Sequence, residues 1–133
     1  MSVGSGSYDG FDITMVAAAD LSSYQYCAVY VSAAGNVNVQ TTNNGAVLGV
    51  LQNTPAQYEE AIVRISGTSI VKVNEAVATV GTHLTVANAA GGKGEVCDAA
   101  NEYYFAESIE VATAQNDLIL CKIVAGHSSA SEA

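Results

Sequence analysis

The chain has no tryptophan, only two phenylalanines, and four basic residues against thirteen acidic ones, a formal net charge of −9 over 133 residues. Each scarcity excludes something. With so few Lys and Arg there is little to neutralise phosphates and release counterions, so DNA, RNA and anionic membranes are not expected partners. The three cysteines, Cys27, Cys97 and Cys121, are odd in number and far apart, with no C-x-x-C pair. That argues against a disulfide framework and a zinc knuckle, and it points to free thiols in an intracellular fold. The N-terminus has no Lys or Arg, and its longest early apolar run, Met15 to Ala19, is much shorter than the core of a signal peptide. No run approaches the ~20 apolar residues of a membrane-spanning helix. A soluble protein made in a cytosol is expected.

What is present is a 50% hydrophobic chain with 13% charged residues, which excludes disorder as its main content. Its length suits one domain able to bury roughly two-thirds of its unfolded surface. Ala and Val dominate the apolar fraction and seven Tyr supply most of the aromatic area. The core is therefore expected to be thin, and the surplus apolar surface to belong to something that assembles.

Period two governs the middle of the chain. Phe11, Ile13 and Met15 alternate with Asp12 and Thr14, and Val37 and Val39 with Asn36, Asn38 and Gln40, as half-buried strands should. Strands are expected near 11–17, 26–32, 36–41, 46–52, 59–66, 69–74, 82–87, 94–97, 103–111 and 117–125. Between them fall turn signals at Ala34-Gly35-Asn36, Asn43-Asn44-Gly45 and Ala90 to Gly94. Ser66-Gly67-Thr68-Ser69 reads as a type II′ hairpin, with Gly67 supplying the positive φ. Asn74 to Val80 and a turn near Ala18 to Tyr24 are weak helical candidates. Short strands with turns every 8–12 residues predict an all-β fold, a small barrel or sandwich. It is expected to span residues 11–126, between a flexible Gly/Ser-rich arm over 1–10 and a flexible tail over 127–133. Glu59 to Ile65 also echoes Asp117 to Ile123 at an offset of 58, each an acid followed by an alternating apolar strand with one base. The echo fits equivalent strands in the halves of a pseudo-symmetric barrel, and equally any two amphipathic strands.

Little of the sequence suggests catalysis. Only His83 and His127 could serve a Ser-His-acid set, the second in a Ser/Ala-rich tail, and both read as solvated or locally hydrogen-bonded. Glu59 and Glu60 are strand neighbours that point to opposite faces, so they cannot flank one substrate atom. Gly91-Gly92-Lys93-Gly94 lacks the preceding Gly and following Ser/Thr of a phosphate loop, and reads as a hairpin loop with Lys93 solvated. Asp9, Asp12 and Asp20 have no calcium-loop spacing. Cys121 alternates with Ile119 and Ile123 and reads as a buried, inert thiol. Tyr24, Tyr26 and Tyr30 share one register opposite Cys27, so they are expected on one face, at a core margin or an interface. No catalytic, cofactor or metal residue is assigned.

Gly49-Val50-Leu51-Gln52-Asn53-Thr54-Pro55-Ala56, followed by Ala61-Ile62-Val63-Arg64-Ile65-Ser66-Gly67-Thr68-Ser69, resembles the head decoration, or capsid cement, proteins of tailed bacteriophages. Those commonly read G-V-L-Q-N-x-P and then A-x-V-R-I-x-G-x-S-K-V. Ala19-Asp20-Leu21-Ser22 before this stretch, and Val80-Gly81-Thr82-His83-Leu84 and Asp117 to Val124 after it, extend the likeness over residues 19 to 125. Where the family usually has an acid in A-G-D, this chain has Thr82 or His83. The resemblance implies a small β-barrel or tulip-like domain without enzymatic activity or cofactor. It would sit on the outside of an icosahedral shell between capsomers of the major capsid protein, as a homotrimer or dimer with its sister subunits, after synthesis in a bacterial cytoplasm. The family's arm orders on the shell, which here implicates Ser2 to Asp12, including Tyr8, with Phe11, Ile13 and Met15 as anchors. Tyr24, Tyr26 and Tyr30 complete the expected partner surface. Exposed Tyr and many Asn also fit a second expectation, a carbohydrate- or receptor-binding β-domain on a virion surface.

Overall fold

Alternating apolar and polar residues press one face of each strand against a core, and the chain turns where the alternation fails. In the computed structural model, which describes residues 10–128, this produces nine strands and, among those residues, no helix. They are β1 (Gly10–Val16), β2 (Ala28–Val31), β3 (Val37–Val39), β4 (Gly49–Leu51), β5 (Glu60–Lys72), β6 (His83–Val86), β7 (Gly94–Val96), β8 (Tyr103–Ser108) and β9 (Leu118–His127). Paired antiparallel, they run in the order β3-β2-β4-β5-β9-β8-β6-β7, with β1 also on β5. The fold is all-β, as expected.

That order is a palindrome because the chain contains one unit twice. β2 and β3 pair, β4 lies on the other edge of β2, and the first half of β5 follows; β6, β7, β8 and β9 repeat the arrangement. The outer partner is β1 in the first unit and the second half of β5 in the second. Each unit curls until its first strand meets its third through one parallel bridge, Ala17 to Val37 and Val73 to Gly94. Hydrogen bonds repeat as well. The Ala18 N–H donates to the Val37 carbonyl as the Asn74 N–H does to that of Gly94, both at 2.7 Å. The Leu21 N–H donates to Pro55 as Val77 does to Ala112, both at 2.9 Å. Tyr58 and Asn116 are left-handed, with φ of 68° and 72°, and donate to the equivalent carbonyls of Ala17 and Val73. The echo at offset 58 thus marks equivalent strands, and it reaches back to Ala56-Gln57 and Ala114-Gln115, which turn alike.

Three expectations are corrected. The strands expected at 59–66 and 69–74 are one strand, β5, so Ser66 to Ser69 is no hairpin. Its first half pairs with β1 and β4 and its second with β9, so neither half needs the other. Gly67 still has the positive φ inferred for it, 92°, but uses it to redirect a continuous strand. Asn74 to Val80 is not helical, because Val77 bridges Ala112 and gives the segment an extended neighbour. The tail begins later than expected: His127 closes β9, and buried Ser128 donates from its Oγ to the Ala99 carbonyl at 2.6 Å. The arm's last residue, Gly10, opens β1; the rest of the arm, with Ser2, Tyr8 and Asp9, lies outside the described residues.

Each unit carries a small core. Ala17, Leu21, Val29, Val37, Leu51, Ala61 and Val63 fill the first. In the second, Val73, Val77, Leu84, Ile119 and Cys121 stand where Ala17, Leu21, Val29, Ala61 and Val63 stand in the first. Ala28 and Val50 of the first unit pack into the second core, so the two interlock. Small residues fill these cores because each unit is small and curls tightly on itself; burying each Val or Leu still contributes about 1.5–3 kcal/mol.

Candidate interaction surface

The junction between the units leaves an open groove of about 820 Å³. One wall is Ser23, Tyr24 and Cys27 of the first unit, the other Lys72, Asn74, Asn88 to Gly91, Lys93, Gln115 and Asn116 of the second. The Gly91-Gly92 loop is held against the first unit, where the Ala28 N–H donates to the Gly92 carbonyl at 2.8 Å. Lys93 is therefore half-buried at the groove, correcting the expectation of a solvated loop lysine. Two of the chain's four basic residues line it, and both lysine charges work against the burial that pushes the Cys27 thiol up to about 11. Gln115 Nε2 donates to Asn74 Oδ1 at 2.8 Å on the floor of the second unit. Next to it a smaller cleft of about 280 Å³ is lined by Ser22, Ser23, Gln25, Tyr26, Thr54, Lys72 and Leu118.

The expected partner residues separate. Phe11 is 61% exposed at the outer edge of the first unit. Ile13 and Met15 are half-buried and pack on the first core, so they hold β1 to its own unit instead of standing free as anchors. Tyr24, Tyr26 and Tyr30 do not share a strand face, because β2 begins only at Ala28 and the preceding residues turn. Tyr26 is left-handed, with φ of 69°. Tyr24 lies in the large groove and also against the first core, Tyr26 lies in the small cleft, and Tyr30 sits in β2 opposite Asn38. The groove's amides were missed by reading the sequence. Their only signal was that Ala56-Gln57 recurs as Ala114-Gln115.

His83 stacks on Tyr104, with ring centroids 4.0 Å apart, and its Nε2 lies 3.3 Å from a Glu107 carboxylate oxygen. His127 meets Tyr103 edge-on. Asp12 takes two hydrogen bonds from Arg64, at 2.7 and 3.1 Å, across β1 and β5. Asp20 accepts from the Ser22 N–H at 3.1 Å, and that side-chain and backbone bonding holds its carboxyl below the usual range. Among the described residues no three His, Cys, Asp or Glu side chains gather as a metal site. Burial, with Glu75, Asp98 and Glu102 adding to it, pushes the Glu95 carboxyl up. Burial pushes the Cys121 thiol up to about 12, as a core-filling cysteine requires.

Large exposed apolar side chains are grouped by unit: Phe11, Val16, Val31 and Tyr58 on the first, Val80, Ile109 and Val111 on the second. No protein-family model matches the chain, and neither a curated protein nor a solved structure matches it.

Proposed function

We propose that the chain is a structural virion protein that cements an icosahedral phage shell from outside, binding between capsomers of the major capsid protein without catalysing a reaction. The observation that carries this reading is the grouping of exposed apolar side chains on both units of a tandem β-domain, contact area that the shell and sister subunits would share. The resembling motif supports it. G-V-L-Q-N-x-P forms β4 and the turn after it, and A-x-V-R-I-x-G-x-S runs along β5, the strand on which both units are built. A net charge of −9 suits a surface remote from packaged DNA. Many copies on one shell make weak single contacts sufficient. The test mixes purified chain with expanded, undecorated shells and measures co-sedimentation and the temperature at which shells release DNA. Binding at fixed stoichiometry with a raised release temperature is expected; chain left in the supernatant overturns the proposal.

A second reading, a carbohydrate- or receptor-binding domain, is favoured by one feature. The groove at the junction sets Tyr24 beside Asn74, Asn88, Gln115 and Asn116, amides and a ring suited to hydroxyl groups and a sugar face. Glycan-array binding that is lost in Tyr24→Ala would support it.

A further inference from the structure

The exposed apolar residues have counterparts in the other unit. Matching strand pairs and hydrogen bonds place Val80, Ile109 and Val111 where the first unit has Gln25, Gln52 and Thr54. Those three first-unit residues face the second unit. Gln52 Nε2 donates to Ser69 Oγ at 2.9 Å, and Gln25 and Thr54 line the small cleft with Lys72 and Leu118. Between them the Lys72 N–H donates to the Tyr26 carbonyl at 2.9 Å.

The first unit shows the reverse. Val16, Val31 and Tyr58 stand where the second unit has Lys72, Val86 and Asn116. All three of those second-unit residues face the first unit. Lys72 and Asn116 line the groove with Tyr24, while buried Val86 has its carbonyl bonded by Asn43 Nδ2 at 2.9 Å. Six exposed apolar residues thus lie on the two surfaces whose counterparts in the opposite units form the junction inside the molecule. They are exposed because two units make only one junction.

We infer that a second copy of this chain binds head to tail, setting the Val80-Ile109-Val111 surface of one copy on the Val16-Val31-Tyr58 surface of the next and so repeating the internal junction between molecules. The internal junction supplies the geometry. Its first-unit side uses Gln25, Gln52 and Thr54, whereas the free counterpart has Val80, Ile109 and Val111 at those places, as suits a surface that becomes dry on association. Stacked repeats otherwise need polar outer faces on their terminal units to remain soluble. Because unlike surfaces meet, each copy keeps one of each free until a ring closes or a filament grows. The inference goes beyond capsid binding and holds for the chain alone.

Sedimentation velocity of the purified full-length chain, without shells, tests it. The triple variant Val80→Gln, Ile109→Gln, Val111→Thr installs the first unit's residue types on the second-unit surface, and Val16→Lys installs the second unit's residue on the first-unit surface. Wild type is expected to sediment as a multimer. Each variant should be monomeric, with self-association weakened at least tenfold, and an equimolar mixture should form a dimer, because one intact surface of each kind remains. Circular dichroism confirms folding, and Tyr58→Asn, which installs the Asn116 side chain, replaces Val16→Lys if that variant does not fold. A wild type monomeric up to millimolar concentration overturns the inference. So does a folded variant that stays multimeric, or a mixture that stays monomeric.

Discussion

Thr85, buried in β6, has a side-chain oxygen with no hydrogen-bond partner among the described residues. The position equivalent to it in the first unit is Tyr30, only half-buried in β2, so the same strand slot tolerates a polar tip when water reaches it. In the second unit that slot is dry. A buried hydroxyl without a partner costs about 1–3 kcal/mol of desolvation, and valine has nearly the same shape. Thr85→Val is therefore expected to stabilise the fold by about 1 kcal/mol, read as a higher denaturant midpoint at an unchanged m-value. The cysteines illustrate the same dependence on surroundings. Val63 and Cys121 occupy equivalent core positions, which explains why the thiol behaves as a small hydrophobe.

Among the elements, the loop between β6 and β7 is one that joins the units, through the Ala28 N–H and the Gly92 carbonyl. Gly92 in it has a φ of 78°, and a Cβ there would stand 2.6 Å from the Ala28 carbonyl oxygen. Gly35, in the matching loop of the first unit, has a φ of 84° with nothing within 4 Å of an added Cβ. Both positions charge any other residue about 1–2 kcal/mol for the left-handed backbone, but only Gly92 also lies against another chain segment. Gly92→Ala should destabilise clearly more than Gly35→Ala, with thermal melts of the two variants giving the comparison. Equal losses would show that the loop does not hold the junction. β5 illustrates a second lesson at this scale. Its two halves serve different units and meet at Gly67, whose positive φ lies where β1 ends its pairing and β9 begins its own.

For the whole molecule, duplication raises the question of whether the units unfold separately. Besides the β6–β7 loop, three features tie them: the shared β5, the packing of Ala28 and Val50 into the second core, and the hydrogen bonds between Gln52 and Ser69 and between Asn43 and the Val86 carbonyl. One transition is expected. Leu84→Ala in the second core should cost about 2–5 kcal/mol and lower the single midpoint in calorimetry. The equivalent Val29→Ala should lower the same midpoint rather than reveal a second one. Two resolved transitions would show the units to be independent.

Sequence alone determined the properties that depend on local pattern. Period-two alternation specified an all-β chain, glycine and asparagine marked the turns at Gly35, Asn44 and Gly91, and the register of Cys121 with Ile119 placed its thiol in the core. Those are legible because a residue's face on a strand follows from its parity, and a left-handed turn from its side chain. Which strands become neighbours does not follow from parity. Ser66 to Ser69 has the composition of a hairpin, and only the pairing of β5 with β1, β4 and β9 makes it a bend. For the same reason Tyr24 and Tyr26 read as strand residues but turn, and the groove's amides, Asn74, Asn88, Gln115 and Asn116, are gathered by the closing of the second unit and set opposite Tyr24 only where the two units meet. The duplication itself surfaced in sequence as a single strand echo, because its two copies conserve hydrogen-bond geometry and core positions while most of their side chains differ.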